Sequence, residues 1–136
     1  MEKIRLFRIM AKADRTFAIG IADKIKETEE ITIVKEPEKV LAMIKMREPV
    51  KQSLFYLGEV IVTEAAVSIG GANGVAVLMG DDYEKTASMA IIVAAFNSGV
   101  LQDETPFLEM EEQLLAQEEK ENALFQKTMV DFNTMA

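Results

Sequence analysis

Residues 53–80 read SLFYLGEVIVTEAAVSIGGANGVAVLMG, and this stretch decides the fold. Its first part is rich in Val, Ile, Phe, Tyr and Thr, which favour β-strands, and its last part is a short apolar run of the same character. Between them lies GGANG at residues 70–74, whose glycines adopt positive φ without steric cost. Two apolar runs joined by a short Gly/Asn loop predict a β-hairpin, around which the other elements are arranged.

Alternation along the first strand of this hairpin predicts which of its faces is buried. The predicted core face carries Phe55, Leu57, Ile61, Thr63, Ala65, Val67 and Ile69. Glu59 falls on the same face, where a carboxylate is costly unless it is paired or hydrogen-bonded. Gly58 could mark a β-bulge that turns Glu59 outward. Both a structural ion pair and a catalytic role for Glu59 stay open on this pattern.

The composition bounds the class of protein. A chain of 136 residues suits a single domain, and 49% hydrophobic residues are enough for a core. The absence of Cys and His excludes disulfides, thiolate metal sites and Ser–His or Cys–His catalysis within the chain. A net charge of −8 argues against nucleic acid as the main partner. Since no apolar run approaches the ~20 residues of a membrane span and no signal core is present, we expect a cytoplasmic protein without membrane contact.

Upstream of the hairpin, the sequence predicts two helices and two strands. Residues 3–13 carry a helical stripe of Ile4, Phe7, Met10 and Ala11. Asp14 can cap a second helix, one face of which is lined by Phe17, Ile21 and Ile25. Residues 31–35 and 40–47 are strand candidates, separated by a turn at Pro37, which cannot donate to a ladder. Together with the hairpin they predict an α+β fold with about four antiparallel strands.

Two basic side chains, Lys45 and Arg47, project from one side of the second strand candidate. They could pair across the sheet with Glu59 or Glu64, which is the ordinary role of such residues. They could also face an anionic ligand. With Glu59, they are therefore the candidates for a catalytic role, and the sequence alone does not decide between the two interpretations.

Downstream of the hairpin, Asp82 is a good N-cap for a helix that ends near Gly99. The middle of this helix is apolar all round, so we expect it to lie between the sheet and another helix or a partner. The acidic residues Asp81, Asp82 and Glu84 lack the spacing of a calcium loop. Residues 70–74 lack the Lys-Ser/Thr of a phosphate-binding loop. We therefore expect a capped helix and a turn here, with no metal and no cofactor.

Thr105 and Pro106 begin a long C-terminal helix, as N-cap and first helical residue. Residues 106–130 would span about 37 Å, more than the expected diameter of the domain, so the helix either projects as an arm over residues 106–136 or breaks at the polar run 117–122. Apolar residues at helical spacing on an acidic segment suit binding in a partner's groove. The predicted partner-binding residues are Leu124, Phe125, Met129 and Phe132. The alternative is that the segment folds back on the basic N-terminal helix.

Several of these runs together resemble the PhnG family of phosphonate carbon–phosphorus lyase system proteins. The resemblance rests on VLAMIKMR at residues 40–47, FYLGEVIVTEAAV at 55–67, GVAVLMGDDYEKTASMAIIVAAF at 74–96 and VDFNTM at 130–135. It covers roughly residues 31–99 and the tail, whereas the first thirty residues match only in helical character. Two positions depart from the family: Val93 stands where many members have Asp, and no His lies near Lys85.

The resemblance implies a subunit of the carbon–phosphorus lyase core complex, with PhnH, PhnI and PhnJ. With PhnH, PhnI and the ATP-binding-cassette-like PhnL, such a subunit supports the step in which a phosphonate displaces adenine from ATP. The product is a ribose 1-phosphonate 5-triphosphate. PhnI resembles the catalytic subunit of this synthase, so the resemblance implies an accessory chain without activity alone, bound most directly to PhnI.

Two alternatives to the accessory role stay open. The chain could contribute Glu59, Lys45 or Arg47 in trans to the active site, or it could be a small-molecule-binding module unrelated to phosphonates. When partners are missing, we expect a single domain of residues 1–136 to form a homo-oligomer, because large exposed apolar patches rarely stay uncovered.

Overall fold

The computed structural model describes the backbone of residues 1–47 and 54–135, and the side chains of residues 1–43 and 58–124. In chain order the elements are α1 (Lys3–Lys12), α2 (Arg15–Thr28), β1 (Ile31–Arg47), β2 (Leu54–Ile69), β3 (Ala72–Met79), α3 (Tyr83–Ser98) and α4 (Thr105–Met135). The fold is α+β, as predicted. It divides into two units, one of residues 14–102 and one that combines residues 1–13 with the chain from residue 103 onward.

The sheet has three antiparallel strands in the order β1-β2-β3, and not the predicted four, within the residues described. The difference arises because both upstream strand candidates belong to β1, a single strand of 17 residues. Pro37 lies inside this strand instead of ending it. Since β1 is an edge strand, one side of its backbone needs no ladder partner, and Pro is tolerated there. Register shifts between Ile33 and Lys35 and between Lys35 and Glu38 accommodate the ring.

The β2–β3 hairpin turns on two glycines only. Gly70 and Gly71 have φ of +58° and +84°, the positive values that a two-residue type I′ turn requires. The predicted five-residue loop is therefore too long, because Ala72, Asn73 and Gly74 already belong to β3. The hairpin itself, on which the fold prediction rested, is confirmed.

Helix α3 forms the centre of the unit of residues 14–102. It packs against the sheet on one side and against α2 on the other, which explains its predicted all-round apolar character. Both predicted ends are confirmed: Asp82 accepts a hydrogen bond from the backbone N–H of Lys85 at 3.1 Å, and Gly99 follows the helix with φ of +84°. Its residues from Ser88 to Ala95 are all buried, and so is Thr86.

The predicted core face of β2 is buried only where β3 and α3 cover it. Its covered residues are Thr63, Ala65, Val67 and Ile69. Ile61 is 53% exposed, because the last β2–β3 pair is Val62 with Met79 and Ile61 lies beyond it. The side chains of Phe55 and Leu57 lie outside the described residues.

The second unit contains α1 and α4. Helix α1 buries Leu6, Ile9 and Met10, so the predicted helix is confirmed. Of its predicted stripe, Met10 is buried but Ile4 is 71% exposed. Helix α4 runs for 31 residues without a break at the polar run 117–122. It begins one residue earlier than predicted, since Asp103 accepts the backbone N–H of Thr105 at 3.0 Å.

None of the described helices is long and apolar enough to span a bilayer.

Candidate functional site

Ion pairs at matching intervals join α1 and α4. Arg5 donates through both Nε and Nη2 to the carboxylate of Glu111, with Nε 2.8 Å from Oε2. Lys12 Nζ lies 3.0 Å from Oε1 of Glu118. Both pairs step seven residues along each helix in the same direction, so the two helices run parallel. The hydrogen bond from Arg5 lowers the pKa of Glu111 from its ordinary value and raises that of Arg5.

This ladder of ion pairs covers only the first half of α4. It begins at the amino group of Met1, which lies 3.2 Å from Glu104, and its last described pair is at Glu118. The helix nevertheless continues to Met135. Every residue from 115 to 124 is exposed. The acidic segment therefore folds back on the basic N-terminal helix over its first turns, whereas its residues 115–124 are exposed.

Of the four predicted partner-binding residues, the structure describes one side chain. Leu124 is 65% exposed, and the side chains of Phe125, Met129 and Phe132 lie outside the described residues. Two further apolar side chains on α4 are exposed and were not predicted as contacts. These are Leu108 and Leu115, 41% and 54% exposed and seven residues apart. The sequence signal for them was this interval, which places both on one side of the helix.

Glu59 is exposed near one end of the sheet, opposite Met43 of β1. The predicted β-bulge is present: the register steps from Ile44–Gly58 to Lys45–Tyr56, which leaves Leu57 as the extra residue of β2. From residue 58 to residue 64 the register is uninterrupted, so Glu59 stays on the face of Thr63. It is exposed because nothing described covers that part of the sheet, and not because the bulge turns it.

Apolar side chains surround this carboxylate on the same face. Leu41 and Ile61 lie opposite each other and are 67% and 53% exposed, and Met43 is 55% exposed. A partner that covered this end of the sheet would bury Glu59 among them. The side chains of Lys45 and Arg47, the other two catalytic candidates, lie outside the described residues.

Glu64, the other carboxylate considered for Lys45 and Arg47, is paired with Lys35. Lys35 Nζ lies 2.9 Å from Glu64 and 3.1 Å from Glu38. Hydrogen bonds to these two carboxylates raise the pKa of Lys35. This part of the sheet thus holds a cross-strand ion pair, the structural role that such residues ordinarily have.

The acidic cluster at the start of α3 serves helix capping and an ion pair with α2. Arg15 donates to both carboxylate oxygens of Asp82, at 3.0 and 3.1 Å, and lies 3.0 Å from Glu84. The hydrogen bond from Arg15 lowers the pKa of Asp82 against the opposing effect of burial, and the backbone N–H of Lys85 lowers it further. The described residues contain no group of three or more acidic, His or Cys side chains that could hold a metal ion.

A cleft of about 260 Å³ lies among α2, α3, β1 and β2. Its lining is apolar apart from Lys26 and Lys35, and includes Ile33, Val67 and Ile91. Both lysines are in ion pairs, Lys26 with Asp23 at 3.8 Å and Lys35 as described above. The cleft therefore offers apolar contact area and no uncompensated charge to a small anion.

Comparison with known proteins gives one finding for the whole chain. The family model described as phosphonate metabolism protein PhnG matches residues 2–136. A search of curated proteins gives no match. The match includes the first thirty residues, for which the sequence resemblance was confined to helical character.

Proposed function

Because the chain belongs to the PhnG family of phosphonate metabolism proteins, we propose that it is an accessory, non-catalytic subunit of a carbon–phosphorus lyase complex. Family membership implies work in phosphonate metabolism within a multi-subunit complex. The step that we assign to this complex is the displacement of adenine from ATP by a phosphonate, which gives a ribose 1-phosphonate 5-triphosphate. We place it in the cytoplasm, where ATP is made and used.

The observation that carries this proposal is the exposed segment of α4 at residues 115–124. The helix continues past its last described ion pair at Glu118, and residues 115–124 are all exposed. Most helix stability in proteins comes from burial of an apolar face, and the side chains of residues 115–124 are exposed. Segment 115–135 therefore suits a partner's groove, with Leu124, Phe125, Met129 and Phe132 as the contacts.

The charge of this segment indicates the chemistry of the groove. Within residues 115–135, four acidic residues (Glu118, Glu119, Glu121 and Asp131) stand against Lys120 and Lys127. A groove with an apolar floor and basic residues on its rim would match both the apolar side chains and the charge. We propose PhnI as the subunit that provides it, with PhnH, PhnJ and PhnL as further members of the assembly.

The described ionisable groups support an accessory role. In residues 1–43 and 58–124, the buried polar side chains are Thr63, Thr86 and Ser88, none of which titrates near neutral pH. The shifted pKa values belong to groups held in ion pairs, as in the Arg15–Asp82 and Arg5–Glu111 pairs. Proton transfer at neutral pH requires a buried carboxyl or amine whose pKa lies near 7, and neither pair contains such a group.

A reconstitution that omits one subunit tests the proposal. Adenine release from ATP and methylphosphonate is measured with this chain alone, with the other subunits alone, and with all of them together. We expect no release by the chain alone, and turnover that depends on the chain only in the presence of PhnI. Adenine release by the pure chain would overturn the accessory role.

The second candidate is a catalytic contribution in trans, and the exposed position of Glu59 favours it. If a partner covers Leu41, Met43 and Ile61, it also encloses the carboxyl of Glu59 and so places this group at the interface. The variant E59Q in the reconstituted complex separates the two functions. Lost turnover with intact assembly supports the role in trans, whereas turnover equal to that of the control E30Q, an exposed carboxylate before β1, refutes it.

A further inference from the structure

The two edges of the sheet differ in how they are protected against pairing with another strand. The edge strand β1 contains Pro37, two register shifts and a cluster of charges at Lys35, Glu36, Glu38 and Lys39. Proline, irregularities and charges are the features by which proteins discourage edge-to-edge association. The opposite edge strand, β3, has the sequence ANGVAVLM, with no charge, no proline and a continuous register.

The outer side of β3 presents unpaired backbone groups. Gly80 N–H donates to the carbonyl of Ile61 at 2.9 Å, so the even-numbered residues of β3 face β2 and the odd-numbered ones face outward. The carbonyl of Asn73 accordingly accepts the side-chain amide of Asn97 at 2.7 Å. Among the described residues, no backbone partner meets the outward N–H and C=O groups of Val75 and Val77.

The side chains of these outward residues are exposed and apolar. Val75, Val77 and Met79 are 51%, 43% and 72% exposed, and they lie on the face of the sheet opposite to the face that α3 covers. On that same face the neighbouring Val62 and Ala66 of β2 are buried, and Glu64, which lies opposite Val77, is held in the ion pair with Lys35. A strand added at this edge would therefore extend an apolar surface as well as the hydrogen-bond ladder.

We propose that β3 pairs antiparallel with β3 of a second copy of this chain, around a twofold axis at Val77. Asn97 already occupies the outward carbonyl of Asn73, so the residues left to pair are Val75, Val77 and Met79. The symmetric register that uses all three places Val77 opposite Val77 and Val75 opposite Met79 of the second copy. The two three-stranded sheets then form one sheet of six strands.

The strand that pairs with this edge is β3 of a second copy, because β3 itself has the properties that such a pairing strand needs. It is an extended strand without charge whose apolar residues lie at alternate positions. In the proposed register Asp81 lies opposite Asn73 of the second copy, so no like charges face each other across the axis. This inference is independent of the lyase complex, since it rests on the sheet alone. A single strand pair is smaller than a standard interface, so the dimer forms with rising concentration.

The natural absence of Cys allows a direct test of the register. The variant V77C places two thiols on the axis, within the distance that a disulfide spans, whereas the thiols of V75C are four positions apart along the strands, about 13 Å. On mild oxidation of the full-length chain, we expect V77C to form a disulfide dimer roughly tenfold faster than V75C. The variant L115C, an exposed position on α4, measures random collision. Equal rates for V77C and either control overturn the proposal.

Sedimentation equilibrium of the cysteine-free chain provides the second readout. We expect the mass to rise from 15.1 kDa towards twice that value with concentration. The variant V77P removes an outward N–H that no described residue uses, so it should fold and remain a monomer. A wild-type chain that stays monomeric up to about 1 mM, or a V77P chain that dimerises as well as wild type, overturns the proposal. If V77P does not fold, the cross-linking rates decide alone.

Discussion

Gly74 in β3 lies directly against the backbone of Ala94 in α3. A Cβ atom at residue 74 would come within 2.2 Å of the Ala94 nitrogen and 2.3 Å of the Ala90 oxygen. The atoms that it would meet are backbone, which cannot move aside as a flexible side chain can. Gly74 thus permits the close approach of strand and helix at the centre of the unit, although its φ is not among the positive values.

We expect G74A to destabilise the fold by about 3 kcal/mol, because overpacking forces the strand and the helix apart. Urea unfolding at 25 °C measures the free energy of unfolding. The matched control is G20A in α2, where nothing lies within 4 Å of the added atom. Alanine is the better helix former, so this variant should gain about 0.5–1 kcal/mol. A G74A protein as stable as wild type contradicts the described contact.

The Arg15–Asp82 pair predicts a pH dependence of stability. The pKa of Asp82 is lower in the folded protein than in the unfolded chain. A group of this kind stabilises the fold above its unfolded pKa and loses that contribution as the pH falls through the folded pKa. We expect D82N to be less stable than wild type above about pH 4, with a difference that shrinks below that pH.

A second variant separates the ion pair from the helix cap. Asn still accepts the backbone N–H of Lys85 and Ala does not, so D82A should be about 1 kcal/mol less stable than D82N at every pH. Urea unfolding from pH 7 to pH 2.5 provides both comparisons. A difference between wild type and D82N that stays constant over this range is incompatible with a lowered pKa of Asp82.

The parallel pairing of α1 and α4 predicts rescue by charge exchange. Both R5E and E111R should lower the urea midpoint, because each places two like charges at the position of the Arg5–Glu111 pair. The double variant R5E/E111R restores an attractive pair and should recover part of the loss. The recovery should diminish with added salt, since the pair lies at the surface.

The control for this exchange is R5E combined with E109R. Glu109 is exposed two residues before Glu111 on α4, and no described ion pair includes it. Recovery that is equal in both double variants would reflect net charge alone and would contradict the specific pairing.

The elements set by local chemistry could be predicted from the sequence. The glycines of residues 70–71 indicated the hairpin, Asp82 and Gly99 indicated the ends of α3, and the apolar character of α3 indicated its central position. The number of strands was harder to predict, because a proline such as Pro37 ends a strand in the interior of a sheet but is tolerated in an edge strand. Whether β1 is an edge strand depends on the order of the strands, which is a tertiary property.

The local sequence pattern was also not sufficient to predict which sides of α1 and α2 are buried. In α1 the apolar residues form two possible stripes with helical spacing, one that includes Ile4 and one that includes Leu6. Packing in the folded protein buries the stripe that includes Leu6. In α2 the buried residues are Ala18 and Ala22, and not the larger Phe17 that the pattern favours. Small residues allow helices to approach closely, so size complementarity outweighed hydrophobicity here.

Part of the candidate site was available in the sequence. The opposite charges of the two ends offered contact between α1 and the acidic segment as the alternative to docking on a partner. The seven-residue intervals of Arg5 and Lys12 with Glu111 and Glu118 could have located this contact. The point at which this pairing stops could not be predicted, because it depends on the lengths of two helices that differ by 21 residues.

The most direct test of the proposed docking role is co-purification of truncated chains with PhnI. Truncation after Lys120 retains the Lys12–Glu118 pair and removes all four proposed contact residues. The control is full-length I33S, which removes an equally exposed apolar side chain from the sheet and leaves α4 intact. We expect the truncated chain to keep its far-UV circular dichroism per folded residue and its urea midpoint but to lose PhnI, while I33S retains it. A folded truncated chain that binds PhnI as tightly as the full-length protein would contradict the account.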